Sequence, residues 1–184
     1  VVTPDRAMAK QANGLTMGSP DAKVKVTEFA DFQCPACASY WDQLEPYIIE
    51  NYIDTGKVQM IYSPFSFLGR GQKWDESVKA AEAAYCANDQ QKFWQYRDFI
   101  FANHNGENQG AYSRDRLLAF AKQLDLDETA FKECLDSNKY AQQVADDNTY
   151  ADSQGATFTP SFLINGKIVN ANELVQTIEN ALAE

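Results

Sequence analysis

The first stretch with a regular hydrophobic pattern is Val24-Lys25-Val26-Thr27-Glu28-Phe29-Ala30, whose β-branched and aromatic residues predict a buried strand. Cys34-Pro35 follows. Proline in a first helical turn forfeits no hydrogen bond, so a helix is expected to open directly after Cys34. Tyr40, Leu44, Tyr47 and Ile48 continue it at helical spacing as far as Gly56, and Pro46 should kink it. Val58-Gln59-Met60-Ile61-Tyr62 reads as a second strand. Upstream, residues 1–15 are polar and weakly patterned, and read as a tail or short helix.

From Pro64 to about Gly155 helical patterns replace strand patterns. Trp74, Val78, Ala81 and Tyr85 share one helical face, and Phe93, Tyr96 and Ile100 share another. Leu117, Phe120, Ala121 and Leu124 mark a third helix, with Ser113 as its N-cap. Phe131, Cys134 and Leu135 lie on a shorter one behind Asp127, and Tyr140, Val144 and Ala151 on a last one ending near Gly155. Asn103 to Gly110 is a polar loop in which His104 should be solvated. Beyond it, Ser161-Phe162-Leu163-Ile164 and Lys167-Ile168-Val169 are strands joined by the hairpin dipeptide Asn165-Gly166. Asn170 with Glu173 then caps an amphipathic helix carrying Leu174, Ile178, Ala181 and Leu182. A β-α-β start and a β-β-α end, separated by a long helical stretch, make one α/β domain with an all-helical insertion.

Composition narrows the function. At 184 residues, with 45% hydrophobic and 23% charged positions, the chain can build one full core without staples. A net charge of −10, dispersed along the chain, argues against nucleic acid and anionic lipid surfaces as partners. No apolar run approaches the roughly 20 residues that span a bilayer. The start at Val1 reads as a mature or trimmed form, compatible with removal of an export signal or an N-terminal membrane anchor.

Two of the four cysteines form Cys34-Pro35-Ala36-Cys37 at the strand-to-helix junction, the context of a redox motif. A thiol at a helix N-terminus faces unpaired N–H groups and the positive end of the dipole, which favour thiolate. Cys37, one turn on, can attack a mixed disulfide formed at Cys34. The competing readings are an inert buried disulfide and half a zinc site. Zinc wants a second close pair, which Cys86, Cys134 and His104 do not supply, so no metal or cofactor is expected. Cys86 and Cys134, both among apolar residues of the insertion, read as a structural disulfide in an oxidising compartment, or as two buried free thiols.

Glu28-Phe29, then Phe32-Gln33-Cys34-Pro35-Ala36-Cys37, and far downstream Gly155-Ala156-Thr157-Phe158-Thr159-Pro160-Ser161-Phe162, resemble the DsbA-like branch of the thioredoxin superfamily. Ala84-Tyr85-Cys86-Ala87 with Phe93-Trp94, and Phe131-Lys132-Glu133-Cys134-Leu135, are similar to the insertion of its BdbD-type members. The likeness runs from about Met17 to Ala183. It implies a thioredoxin-like domain over 16–63 and 156–184, a helical insertion domain over 64–155, and an N-terminal tail over 1–15. It further implies a cis Pro160 beside the active-site disulfide, and a Thr159 backbone that hydrogen-bonds an extended substrate peptide. Glu28 would be the buried acid that relays a proton for Cys37. On the residues alone, Pro160 also reads as an ordinary trans turn proline and Glu28 as a surface acid. One departure stands out: the strongest oxidants of this family carry histidine between the cysteines, where this chain has Ala36.

The expected activity is that of an extracytoplasmic thiol-disulfide oxidoreductase, in the periplasm or cell envelope, acting as a dithiol oxidase on reduced, exported proteins. A quinone-linked membrane enzyme would reoxidise it, and a monomer is expected. The alternatives are a disulfide reductase or isomerase, and a peptide-binding module in which the cysteines are structural.

Overall fold

The computed structural model describes residues 1–184. Its sheet contains β1 (Ala12–Asn13), β2 (Thr16–Met17), β3 (Val24–Ala30), β4 (Val58–Pro64), β5 (Ser161–Ile164) and β6 (Lys167–Val169), in the spatial order β1-β2-β4-β3-β5-β6. Helix α1, residues 35–53, joins β3 to β4, and these two strands are accordingly parallel; all other neighbours are antiparallel. Between β4 and β5 lie α2 (Glu76–Asn88), α3 (Phe93–Ala102), α4 (Arg114–Gln123), α5 (Glu128–Asp136) and α6 (Ala141–Ser153), and α7 (Ala171–Ala183) closes the chain.

Alternation along β3 divides the interior. Val24, Val26 and Ala30 join a continuous core with Met60 and Tyr62 of β4, Phe162 of β5, Ile48 of α1, Ile178 of α7 and Tyr96 of α3. Phe29, on the other face, meets Phe65, Ala151 and Ala156 in a smaller cluster, with the Tyr150 ring 5.7 Å away. The inserted helices therefore share the core of the sheet. Glu28 belongs to the face of Val26, opposite Tyr62 on one side and Phe162 on the other, so a carboxyl is carried into the main core.

The kink expected at Pro46 takes the form of a wide turn. Helix α1 is regular over Pro35–Ser39 and Glu45–Ile48 but has π turns at Tyr40–Leu44 and Ile49–Ile53. Pro46 has no N–H, and its ring crowds the preceding turn, so Glu45 N–H bonds to the Tyr40 carbonyl, five residues back. The Asn165-Gly166 hairpin and the Asn170/Glu173 capping box form as the sequence predicts; Asn165 and Gly166 both adopt positive φ, 49° and 77°. Ser113 stands at the N-cap of α4, although its side chain makes no capping bond.

Residues 12–17 correct the reading of the N-terminal stretch as a tail or helix. They form a hairpin whose second strand pairs with β4, burying Met17 to 1% exposure. Two-residue strands are too short for alternation to register, but Asn13-Gly14, with Gly14 at φ +55°, is a turn signal in plain view.

Candidate active site

Strand β3 ends at Ala30, and the next three residues are pinned before the helix begins. The buried Asp31 carboxylate accepts the N–H groups of Gln33 (2.9 Å), Phe67 (2.8 Å) and Leu68 (3.0 Å) and the Ser77 hydroxyl (2.7 Å). The Gln33 amide donates to Ser77 Oγ (2.9 Å) and accepts from Asn108 N–H (2.5 Å). His104, expected in solvent, is half-buried, with Nε2 2.8 Å from the Gln33 carbonyl. Strand end, post-β4 segment, α2 and the 103–110 loop thus converge on the turn that presents Cys34. Sequence reasoning missed Asp31, Gln33 and His104 here, although an acid placed directly after a buried strand was a usable cue.

Cys34 is the N-cap of α1, extended at φ −74° and ψ 119°, with Pro35 in the first turn. Its Sγ lies 3.3 Å from the Thr159 carbonyl, and the Thr159–Pro160 peptide bond is cis. Cys34 retains 7% exposure while Cys37 is fully buried, and both thiols are free. Hydrogen bonding from the Cys37 thiol, helped by the Thr159 side chain and the N–H groups of Cys37 and Ala36, holds Cys34 at about 6 against an ordinary 9.0, with burial opposing. The Thr159 carbonyl can only accept, so that contact favours the thiol; the donors favour the thiolate. Burial pushes Cys37 well above the ordinary thiol value, and the neighbouring Cys34 and Glu28 add to it. One sulfur is prepared to attack and leave, and its neighbour to hold a proton.

Beneath the thiols Glu28 is 1% exposed, and its Oε2, like the hydroxyls of Tyr40 and Tyr62, has no hydrogen-bond partner within the protein. Burial, reinforced by the Glu45 carboxylate, raises Glu28 to about 8 from 4.5, while Arg97 and Arg6 pull the other way. Glu45 is itself buried, gripped by Arg97 Nη1 (2.5 Å) and Nη2 (2.6 Å). Charged residues inside the aromatic segment Phe93-Trp94-Gln95-Tyr96-Arg97-Asp98-Phe99 were a legible sign of this cluster that periodicity alone passes over.

Beside Cys34 runs a groove of about 450 Å³, lined by Ala36, Tyr40, Leu44, Phe158, Thr159 and Pro160 among others. Phe158 stands exposed at its edge. Cys86 of α2 and Cys134 of α5 are bonded, with S–S 2.00 Å and Cα–Cα 5.9 Å. No group of three or more His, Cys, Asp or Glu side chains is arranged to hold a metal ion.

The thioredoxin family model matches residues 10–184. A Bacillus cereus relative designated "Probable disulfide bond formation protein D" is 34% identical over 157 residues, covering 84% of this chain and 71% of the relative. The chain belongs to this thioredoxin-like family of protein-disulfide oxidoreductases. The disulfide bond formation protein D of Bacillus subtilis is 28% identical over 171 residues, 90% of this chain and 76% of that protein. The crystal structure of oxidised BdbD from Bacillus subtilis superposes with a TM-score of 0.81, at 28% identity, over 93% of this chain and 94% of that one. As a member of the disulfide bond formation protein D family, the chain has a DsbA-like fold: the mixed sheet and seven helices described above. No helix in it is long and apolar enough to cross a membrane.

Proposed function

We propose that this oxidoreductase works as a dithiol oxidase, making disulfides in reduced proteins outside the cytoplasm, with Cys34 and Cys37 as its redox pair. The observation that carries this reading is the inequality of the two sulfurs: Cys34 at about 6, against Thr159 of the groove, and Cys37 far above it in the core. A stabilised Cys34 thiolate favours the reduced protein, which makes the disulfide form a ready electron acceptor.

In the first step a substrate thiolate attacks Cys34 Sγ. The Cys34–Cys37 bond breaks, and its electron pair leaves with Cys37, which takes a proton from Glu28. The second substrate thiolate attacks the substrate sulfur of the mixed disulfide and releases Cys34 as thiolate. Two substrate thiols have become a disulfide, and two electrons now reside on Cys34 and Cys37. Turnover requires an external acceptor for them, and a quinone-linked membrane enzyme fits that role. The groove past Thr159 and Pro160 would hold the substrate as an extended peptide, with the exposed Phe158 giving it apolar purchase. Residues 64–155 serve as a helical insertion domain that buttresses the Cys34 turn through Ser77, His104 and Asn108. The Cys86–Cys134 bond supports an oxidising compartment, by anchor or by export.

Cys34→Ser should abolish oxidation of a reduced test protein, and Cys37→Ser, given an aromatic disulfide reagent, should attack it through Cys34, release one thiolate and stop at the mixed disulfide that Cys37 can no longer resolve. Undiminished oxidation by Cys34→Ser would sink the reading.

A further inference from the structure

Arg6 lies in the stretch before β1 that carries no regular structure, yet only 13% of its side chain is exposed. Its guanidinium stands over the Trp41 ring at 4.7 Å, donates from Nη1 to the Trp41 carbonyl (2.5 Å) and from Nη2 to Glu45 Oε2 (2.8 Å). The Trp41 carbonyl is open to it because of Pro46. In the π turn, the residue that would donate to that carbonyl is Pro46, which has no N–H, and Glu45 N–H is already taken by Tyr40. The segment is held at both ends: Val2 and Asn103 exchange two hydrogen bonds, 2.7 and 2.8 Å, and Lys10 N–H reaches Asp54 Oδ1 at 2.8 Å. Residues 2–10 therefore run as a strap from the end of α3 to the end of α1.

Under that strap lie two carboxylates, Glu45 and Asp98, and two guanidiniums, Arg97 and Arg6. With Arg6 the cluster is neutral; without it one cation faces two anions. Glu28 of β3 faces this cluster, together with Cys37 and Tyr40 of α1 and Tyr62 of β4. We propose that Arg6 is a positioning residue for the Cys37 half of the exchange: docked in the Pro46 break, it neutralises Glu45 and so sets the charge against which Glu28 gives up or receives its proton. This rests on the proposed roles of Cys34, Cys37 and Glu28.

An aromatic disulfide reagent separates the two halves. Cys34 of the reduced protein attacks it and releases one coloured thiolate; Cys37 then attacks the mixed disulfide, reforms the protein disulfide and releases the second. In Arg6→Met or Arg6→Gln, whichever folds, the pH midpoint of the second release should rise by about one unit, as loss of a nearby opposite charge requires. The first release should keep its midpoint. Arg6→Lys, which restores the charge, should return the second midpoint towards that of the unaltered chain. An unmoved second midpoint in the neutral variants, or a shift in Arg6→Lys as large as theirs, overturns the assignment. Failure of the underlying reading looks different: the unaltered chain would then show no Cys34-dependent first release.

Discussion

At Cys34 two effects of opposite sign meet: burial, which disfavours the thiolate, and the donors at the first turn of α1, which favour it. The donors win, and the Cys34 pKa of about 6 has a direct consequence. Alkylation of the reduced protein should rise with pH to a midpoint near 6, and a midpoint at the ordinary thiol value of 9.0 or above would show that burial cancels or outweighs the donors. Glu28 is the reverse case, since burial raises its carboxyl from 4.5 to about 8. The unfolded chain ionises first, so the stability associated with this group is fully present below pH 4.5 and is lost as pH rises through 8. Glu28→Gln removes that dependence. Thermal unfolding of the oxidised protein, in which the thiols do not titrate, should show the variant gaining on the unaltered chain between those pH values. Oxidation of a reduced substrate should at the same time slow about 100-fold, the lower range for loss of a general acid. Parallel stability profiles would mean that Glu28 is ionised at neutral pH.

At the level of elements, the Cys34 turn is set by what ties its neighbours together. Asp31 joins the end of β3 both to the segment after β4 and to α2. Asp31→Ala would strand one buried and two partly buried N–H groups and a buried hydroxyl, with an expected loss of about 3 kcal/mol in denaturant unfolding. A loss below about 1 kcal/mol would show that water replaces the carboxylate. Most elements were legible because their residues carry the pattern locally: Val24 to Ala30 reads as a strand, and Asn165-Gly166 and Asn170/Glu173 name their own turn and cap. What was not legible depends on partners distant in sequence. His104 looks like a solvated loop residue until the 103–110 loop is seen against Gln33, seventy-one positions away. The β1–β2 hairpin exists only because β4 offers it an edge.

For the molecule as a whole, the core runs without a break from the sheet into the inserted helices, and the Cys86–Cys134 bond closes a loop across a separation of 48 residues within that insertion. Constraining a chain of that length is worth about 4 kcal/mol in the unfolded state. The Cys86→Ser/Cys134→Ser variant should lose stability of that order while its Cys34 alkylation midpoint stays near 6. A displaced midpoint would show that this bond also shapes the Cys34 turn. The proposed redox pair was readable from Cys34-Pro35-Ala36-Cys37 at a strand-to-helix junction, whereas the buried charge beneath it was readable only in part: Arg97 and Asp98 stand out in an aromatic segment, but Arg6 and Glu45 join them only in three dimensions. The direction of electron flow belongs to this same scale, since on the proposed mechanism it is set by the pair together with the buried groups around it. Equilibration with glutathione buffers, followed by alkylation to count reduced Cys34, measures it directly. A Cys34–Cys37 potential well above thioredoxin's roughly −270 mV, in the direction of DsbA's roughly −120 mV, is the predicted result, and a value at or below roughly −270 mV would contradict the oxidase.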